Sequence, residues 1–284
     1  MTLVYLDGAF LPSGEALVPA TGEGALFGRG VFETMRARGG RVFRFDAHLD
    51  RMERGARFLE MPEPDASAIG DAIVELTRRL AIEDARVRVT LLAGAAAVDG
   101  EAASLLIQAR PATDYPPKLY ERGISATVAA VRRNEASPLS RLKTVNCLDN
   151  VLAREAARAK GAQESILVNA RGLVAEGSAS NVFAVVATEV VTPPIEDGAL
   201  PGVTRAAVLE LARDAGMGAG ERSLTLREVE SASEAFVTNA VMGVMPLVSV
   251  GGAPIGEGRP GEVTRAMMRL YAAAVDGACQ SEAM

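Results

Sequence analysis

A mixed α+β fold in two units is predicted for this chain. Three observations predict it. Short strand-like runs alternate with amphipathic helical stretches, a proline-rich segment interrupts the chain well before its midpoint, and 284 residues are enough for two modest cores. The prolines Pro111, Pro116 and Pro117 lie within Arg110 to Lys118, the best linker candidate. This sets expected bounds of 1–109 for a first unit, 110–120 for a linker and 121–284 for a second, larger unit.

Each element has its own signal. Val4 to Phe10 reads as two strands around an Asp7-Gly8 turn. Val31–Ala37 and Arg41–Phe45 form a second hairpin around Gly39-Gly40. Asp46 is the expected N-cap of a helix whose apolar face carries Leu49, Met52, Ala56 and Leu59, stopped by Pro62 and Pro64. A helix over Asp65–Leu80 presents Ile69, Ile73, Leu76 and Leu80, and strands follow at Arg86–Leu92 and Ser104–Ala109. In the second unit the spacing predicts a strand at Ile124–Val131 and a helix over Asn146–Lys160 closed by Gly161. Strands at Ser165–Val168, Leu173–Ala175 and Val182–Val186 come next. A helix over Thr204–Ala215 follows Pro201-Gly202. Short strands at Phe236–Thr238 and Leu247–Val250 precede a last helix over Pro260–Val275.

Composition narrows the chemistry. Net charge is −6, so no general pull toward nucleic acid or anionic membrane is expected. No apolar run approaches the length of a bilayer span. Met1 to Phe10 lacks a basic n-region and carries Asp7, so no signal peptide is expected. Cys147 and Cys279 are the only cysteines and fit no metal or redox spacing, which suggests reduced thiols and a cytoplasmic setting. His48 is the single histidine, no G-x-S-x-G elbow is present, and multi-histidine or multi-cysteine zinc sites are excluded. No metal is expected.

Lysine scarcity is more informative. Lys118, Lys143 and Lys160 are the only lysines, and every other member of the 30 Lys+Arg positions is arginine. Arginine does not lose its proton near neutral pH, whereas lysine can and then acts as a nucleophile. Lys118 belongs to the proline-rich linker, where solvent exposure explains it. Lys160 falls in a last helical turn, where a cation complements the helix dipole. Lys143 lies at a strand-to-helix junction, a common place for active-site residues.

The residues around Lys143 carry a resemblance. The run Arg141-Leu142-Lys143-Thr144-Val145-Asn146-Cys147-Leu148-Asp149-Asn150 resembles the cofactor-lysine segment of the class IV aminotransferase family. These are the fold-type IV enzymes that use pyridoxal 5′-phosphate (PLP): branched-chain aminotransferases, D-amino-acid aminotransferases and 4-amino-4-deoxychorismate lyases. Ala175-Glu176-Gly177-Ser178-Ala179-Ser180-Asn181 is similar to the family segment whose carboxylate meets the pyridine nitrogen. Leu200-Pro201-Gly202-Val203-Thr204-Arg205 is similar to the segment that opens a helix under the cofactor phosphate. Phe236-Val237-Thr238-Asn239-Ala240 is similar to a second phosphate-side loop, and His48-Leu49-Asp50-Arg51 to an H-x-x-R helix.

The resemblance implies a small N-terminal α+β domain and a larger, barrel-like C-terminal domain. It implies PLP held on Lys143 as a Schiff base, with Lys143 also moving the proton at Cα. Glu176 keeps the pyridine nitrogen protonated, while Arg51, Val203, Thr204, Asn239 and Ala240 surround the phosphate. It further implies an amino-acid-like substrate and a homodimer.

Reaction type is a separate question, because both elimination and transamination use the same lysine. D-amino-acid aminotransferases carry an R-x-H carboxylate trap where this chain has Gly94-Ala95-Ala96-Ala97-Val98. Branched-chain enzymes carry F-E-G-x-R, where this chain has Phe32-Glu33-Thr34-Met35-Arg36, and a tyrosine where it has Leu148. Three features favour the lyase, which would eliminate pyruvate from aminodeoxychorismate to give 4-aminobenzoate, a folate precursor. They are Thr34, Arg133-Asn134 with Ser137-Pro138-Leu139, and Thr238-Asn239-Ala240-Val241-Met242-Gly243-Val244-Met245-Pro246. The basic loop of the lyases is missing. An aminotransferase acting on a branched-chain or D-amino acid is the alternative, and a non-catalytic small-molecule-binding protein is the third reading. A substrate carboxylate needs a cation. Arg29, flanked by Gly28 and Gly30, and Arg88 are expected there together with Thr34; Arg36 and Arg133 are further candidates.

Overall fold

The computed structural model describes residues 2–94, 103–113 and 115–280. The Ala95–Val98 stretch, where the R-x-H trap is missing, lies outside the described residues. The chain divides into two compact units. One comprises Met1–Thr113, Leu142–Asn146 and Ala278–Met284, and the other Asp114–Arg141 and Cys147–Gly277. The segment bearing Lys143 therefore groups with the first.

The first unit contains β1 (Leu3–Leu6), β2 (Ala9–Pro12), α1 (Glu23–Phe27), β3 (Gly30–Arg38), β4 (Arg41–Val42), α2 (Phe45–Phe58), α3 (Ala66–Arg79), β5 (Asp84–Leu92) and β6 (Ser104–Pro111). Its six-stranded antiparallel sheet runs in the order β2-β1-β6-β5-β3-β4. Val31, Met35 and Ala37 alternate along β3 toward one face, which buries them with Leu49 and Met52 of α2 and Ile73 and Leu76 of α3. Each fully buried side chain of this size contributes about 1.5–3 kcal/mol, which is what holds the two helices on the sheet. Phe32, Thr34 and Arg36 alternate to the opposite face, where Thr34 pairs in register with Arg88, and Phe32 with Thr90.

The expected N-cap at Asp46 is corrected. The capping position of α2 is Arg44, at φ 54°, and Asp46 falls in the first turn, where its charge suits the helix dipole. Arg41–Phe45 shortens to the two-residue strand β4 because the chain turns into α2 at once.

The second unit contains α4 (Pro117–Arg122), β7 (Ile124–Val128), a 3-10 turn (Pro138–Arg141), α5 (Leu148–Ala159), β8 (Glu164–Val168), β9 (Val174–Gly177), β10 (Asn181–Val186) and β11 (Glu189–Thr192). A second 3-10 turn (Ile195–Asp197), α6 (Val203–Asp214), β12 (Gly218–Glu221), α7 (Leu226–Glu230), β13 (Glu234–Asn239), β14 (Gly243–Val250), β15 (Ala253–Pro254) and α8 (Glu262–Gln280) follow. Its curled sheet has the order β12-β11-β10-β13-β14-β7-β8-β9, with β15 on β14. Most neighbours are antiparallel; β14–β7, β7–β8 and β11–β12 are parallel. β8, β9 and most of β10 are buried at successive residues, the mark of strands covered on both faces.

Lys118 is exposed in α4, a short helix that Pro117 starts within the expected linker. The helix expected from Asn146 begins at Leu148, since Asn146 has another task in the first unit. Its Nδ2 donates to Gly28 O at 2.6 Å. Gly28 has φ 68°, and a Cβ there would stand 2.5 Å from Asn146 Oδ1. Gly28→Ala is thus expected to lower stability by about 1–3 kcal/mol, read as a lower urea midpoint at unchanged slope.

Candidate active site

In the first unit, Lys143 is placed by backbone. Phe32 N–H donates to Lys143 O at 2.9 Å and Val145 N–H to Gly30 O at 3.0 Å, so Thr144 bridges to Val31 beside the start of β3. The half-buried Lys143 has its Nζ 4.7 Å from the centre of the Phe32 ring. Arg88 Cζ lies 3.7 Å from the same ring, and Arg88 Nε donates to Thr90 Oγ1 at 3.2 Å. One aromatic ring thus carries both the candidate nucleophile and an expected substrate cation, through cation–π attraction. Thr34 sits next to Arg88 on that sheet face.

Behind this face, Glu33 is fully buried among α2 side chains. Arg51 forks onto it, with Nε to Oε1 and Nη2 to Oε2 both at 2.7 Å, and His48 Nδ1 meets Oε2 at 2.8 Å. Burial alone would raise the Glu33 carboxyl, but the Arg51 charge and the hydrogen bonds from His48 and Arg51 prevail and hold it at about 2. Burial lowers the His48 pKa, with the Arg51 and Lys143 charges adding to that, against an upward pull from Glu33. The ring is then neutral near pH 7, with Nδ1–H donated to the carboxylate. Arg51 was expected at a phosphate, and the structure shows what anchors its guanidinium.

Arg29 is committed elsewhere. Its Nη1 pairs with Glu23 Oε2 at 2.5 Å and its Nε donates to Leu59 O at 2.8 Å. Arg36 forks onto Asp84. Of the arginines expected near a substrate carboxylate, Arg88 is the one that shares the Phe32 ring with the Lys143 amine.

In the second unit, Glu176 lies at the end of β9 and is 5% exposed, so its charge needs fixed partners. Oε1 pairs with Arg133 Nη2 at 3.2 Å and Oε2 accepts from Leu200 N–H at 2.9 Å. Arg133 also donates from Nε to Gly198 O, from Nη1 to Asn150 Oδ1 and from Nη2 to Ser140 O. Arg133 is thus the partner of Glu176, which gives it a task other than a substrate clamp. The turn after Glu176 is pinned by buried Glu164, which accepts from Ser178 N–H and from the hydroxyls of Ser178 and Ser180.

Val203 and Thr204 open α6 and are buried. No side chain caps this helix, so its first-turn N–H groups keep the capacity to bind an anion. Gly202 is required there, because a Cβ would come within 2.0 Å of Asn181 Oδ1. Asn239 Oδ1 accepts from Val241 and Met242 N–H, and Nδ2 donates to Ala179 O, which shapes the loop holding half-buried Ala240.

Sequence reasoning missed Phe32, Glu33, Glu164 and the Arg133–Glu176 pair. Glu33 was findable, since it shares the parity of Val31, Met35 and Ala37 and so puts a charge on the core face of β3. The others depend on contacts between distant segments.

Comparison with known proteins decides the family. Residues 30–250 match the sequence model of amino-transferase class IV. The chain belongs to this family. A Methanocaldococcus jannaschii protein assigned as a branched-chain-amino-acid aminotransferase is 32% identical over 277 residues, covering 94% of each chain. The D-alanine aminotransferase of Bacillus licheniformis is 28% identical over 267 residues, covering 92% of this chain and 93% of that one. Among solved structures, a T.th. branched-chain amino acid aminotransferase with pyridoxamine 5′-phosphate superposes with a TM-score of 0.89. It is 27% identical, with 99% of this chain and 96% of that chain covered. The fold-type IV expectation holds, and this family member is a PLP-dependent enzyme. The relatives' names favour the transaminase alternative over the lyase that the sequence features favoured.

The buried acid cluster has a readable pH dependence. Both groups have lowered folded-state pKa values, so the stability they add is present at higher pH and lost on acidification. Urea resistance is expected to fall as pH drops below 6.5, where the unfolded chain protonates its histidine, and again from 4.5 toward about 2 as Glu33 is protonated. His48→Gln should remove the first step and keep the second.

Proposed function

We propose that this protein is an aminotransferase that moves an amino group between an amino acid and a 2-keto acid. The observation that carries the reading is near full-length similarity to aminotransferases, with Lys143 and Glu176 both inside the matched span 30–250. Branched-chain and D-amino acids are the substrate classes suggested by the relatives' names.

The residues present fit PLP. An amine, a buried anionic carboxylate and an uncapped helix start are the three donor types that its aldehyde, its pyridine nitrogen and its phosphate require. When bound, PLP supplies an electron sink for the pair left at the substrate Cα. Lys143 Nζ would hold the cofactor through its amine and would accept and return the proton of the substrate Cα. Glu176 would keep the pyridine nitrogen protonated, with Arg133 and Leu200 N–H fixing the carboxylate. Val203 and Thr204, at the uncapped start of α6, would hold the phosphate, with Asn239 shaping the loop of Ala240 and Arg51 as a further source of positive charge. Arg88, with Thr34, receives the substrate carboxylate.

The test is direct. Borohydride reduction of the yellow protein should trap the cofactor on Lys143, and Lys143→Ala should lower turnover by several orders of magnitude. Purified enzyme should convert donor and keto-acid pairs and release no 4-aminobenzoate from aminodeoxychorismate. Pyruvate and 4-aminobenzoate formed without an amino acceptor would instead establish the lyase.

A homodimer in the cytoplasm completes the reading. Leu148, Val151 and Leu152 leave an exposed apolar stripe on α5, which supports a second copy as partner. Sedimentation should give about twice the 29.6 kDa chain mass, and Val151→Glu should shift it to one chain. Cys147 and Cys279 are unpaired, which suits a reducing compartment. Among the described residues no helix is long and apolar enough to cross a membrane.

A further inference from the structure

Thr204 is the second residue of α6 and is 4% exposed. Its hydroxyl lies 3.5 Å from the hydroxyl of Tyr271, which comes from α8. The phenol is held there by packing. Tyr271 is buried, and its ring lies against Gly243, where a Cβ would come within 2.9 Å of Cδ1 and Cε1. Gly243 also has φ 66°, so backbone and ring both call for glycine. A side chain at residue 243 would push the phenol away from Thr204.

A phosphate oxygen only accepts hydrogen bonds. A Thr204 hydroxyl that serves it must spend its one proton there, which leaves the Oγ1 lone pairs for another donor. The Tyr271 hydroxyl is the donor placed within reach. We infer that Tyr271 is a positioning residue of the phosphate site: it donates to Thr204 Oγ1 and so aims the Thr204 proton at the anion. The separation is long for two hydroxyls, and such contacts tighten when a ligand occupies the site. A donor behind a donor also polarises the outer bond. This inference rests on the reading of Thr204 as a phosphate ligand.

The test uses full-length apoprotein titrated with PLP and, separately, with pyridoxal, which has the same ring and aldehyde without the phosphate. Tyr271→Phe keeps the ring on Gly243 and removes only the hydroxyl. It should weaken PLP binding by about five- to tenfold, the scale of one hydrogen bond, and leave pyridoxal binding unchanged. Thr204→Val should weaken PLP more, and adding Tyr271→Phe to it should cost nothing further. Weakened binding in Thr204→Val with none in Tyr271→Phe would overturn the tyrosine's role and leave the phosphate reading standing. No effect of Thr204→Val would remove the reading on which it rests, and the inference with it. Equal losses for PLP and pyridoxal, or an added loss on the Thr204→Val background, would show the phenol acting by another route and also overturn it.

Discussion

Two backbone hydrogen bonds, Phe32 N–H to Lys143 O and Val145 N–H to Gly30 O, fix the root of the Lys143 side chain. A lysine side chain has four rotatable carbons and about 2 kcal/mol of rotamer entropy to lose, so its root must be rigid if its tip is to be placed. The segment Lys143–Val145 obtains that rigidity by pairing with the start of β3, a strand paired along its length with β5 and with one face buried against the helices. Phe32 then limits where the tip goes, because its ring attracts the ammonium from one neighbour and the Arg88 guanidinium from another. Gly28 permits the close approach of Asn146, which ties the far end of the segment to Gly28 O, and Gly30 lets β3 lie close against Leu91 and Leu92 of β5.

Both units solve one problem in the same way, that of keeping a carboxylate charged away from water. Burying an unpaired carboxylate costs several kcal/mol, so each must be surrounded by donors. Glu33 takes an arginine fork and a histidine, Glu176 an arginine and a backbone N–H, and Glu164 serine hydroxyls and backbone N–H groups. These clusters link segments far apart in sequence, so the charge that costs stability also fixes geometry. Arg133 shows this most clearly. Its guanidinium joins Glu176 to Ser140, to Asn150 and to Gly198, segments that approach Lys143 in sequence from both sides and lead into Leu200.

Much of this was legible in the residue pattern. The alternation of Val31, Met35 and Ala37, and the spacing of Ile69, Ile73 and Leu76, are direct records of burial. Lys143 stood out because the chain has so few lysines. What could not be read has physical causes. β12, Gly218–Glu221, has two glycines and no apolar alternation, and exists because β11 offers it a parallel partner. The α7 start was written in the Thr225–Glu228 capping box, a local signal passed over in a short helix. Asp46 looked like a cap because residue type is visible in sequence, whereas the left-handed backbone of Arg44 is not. Arginine roles were hardest to assign. Arg29, Arg36, Arg88 and Arg133 are one residue type with four different partners, and each partner is brought by the fold.

The same contrast bears on reaction type. In the roles proposed for them, Lys143 and Glu176 would serve steps that transamination and elimination share, so their geometry favours neither. Discrimination must come from groups that meet the rest of the substrate, and Thr34 and Arg88 sit in register on the sheet face that also holds Phe32. A transaminase must bind two different substrates in turn and keep the amino group on the enzyme between them. A lyase works on one substrate, removing its Cα proton and expelling the group on Cβ. A single arginine stacked on an aromatic ring can hold the carboxylate of successive substrates while leaving their side chains free to differ, which suits the two-substrate demand of amino transfer.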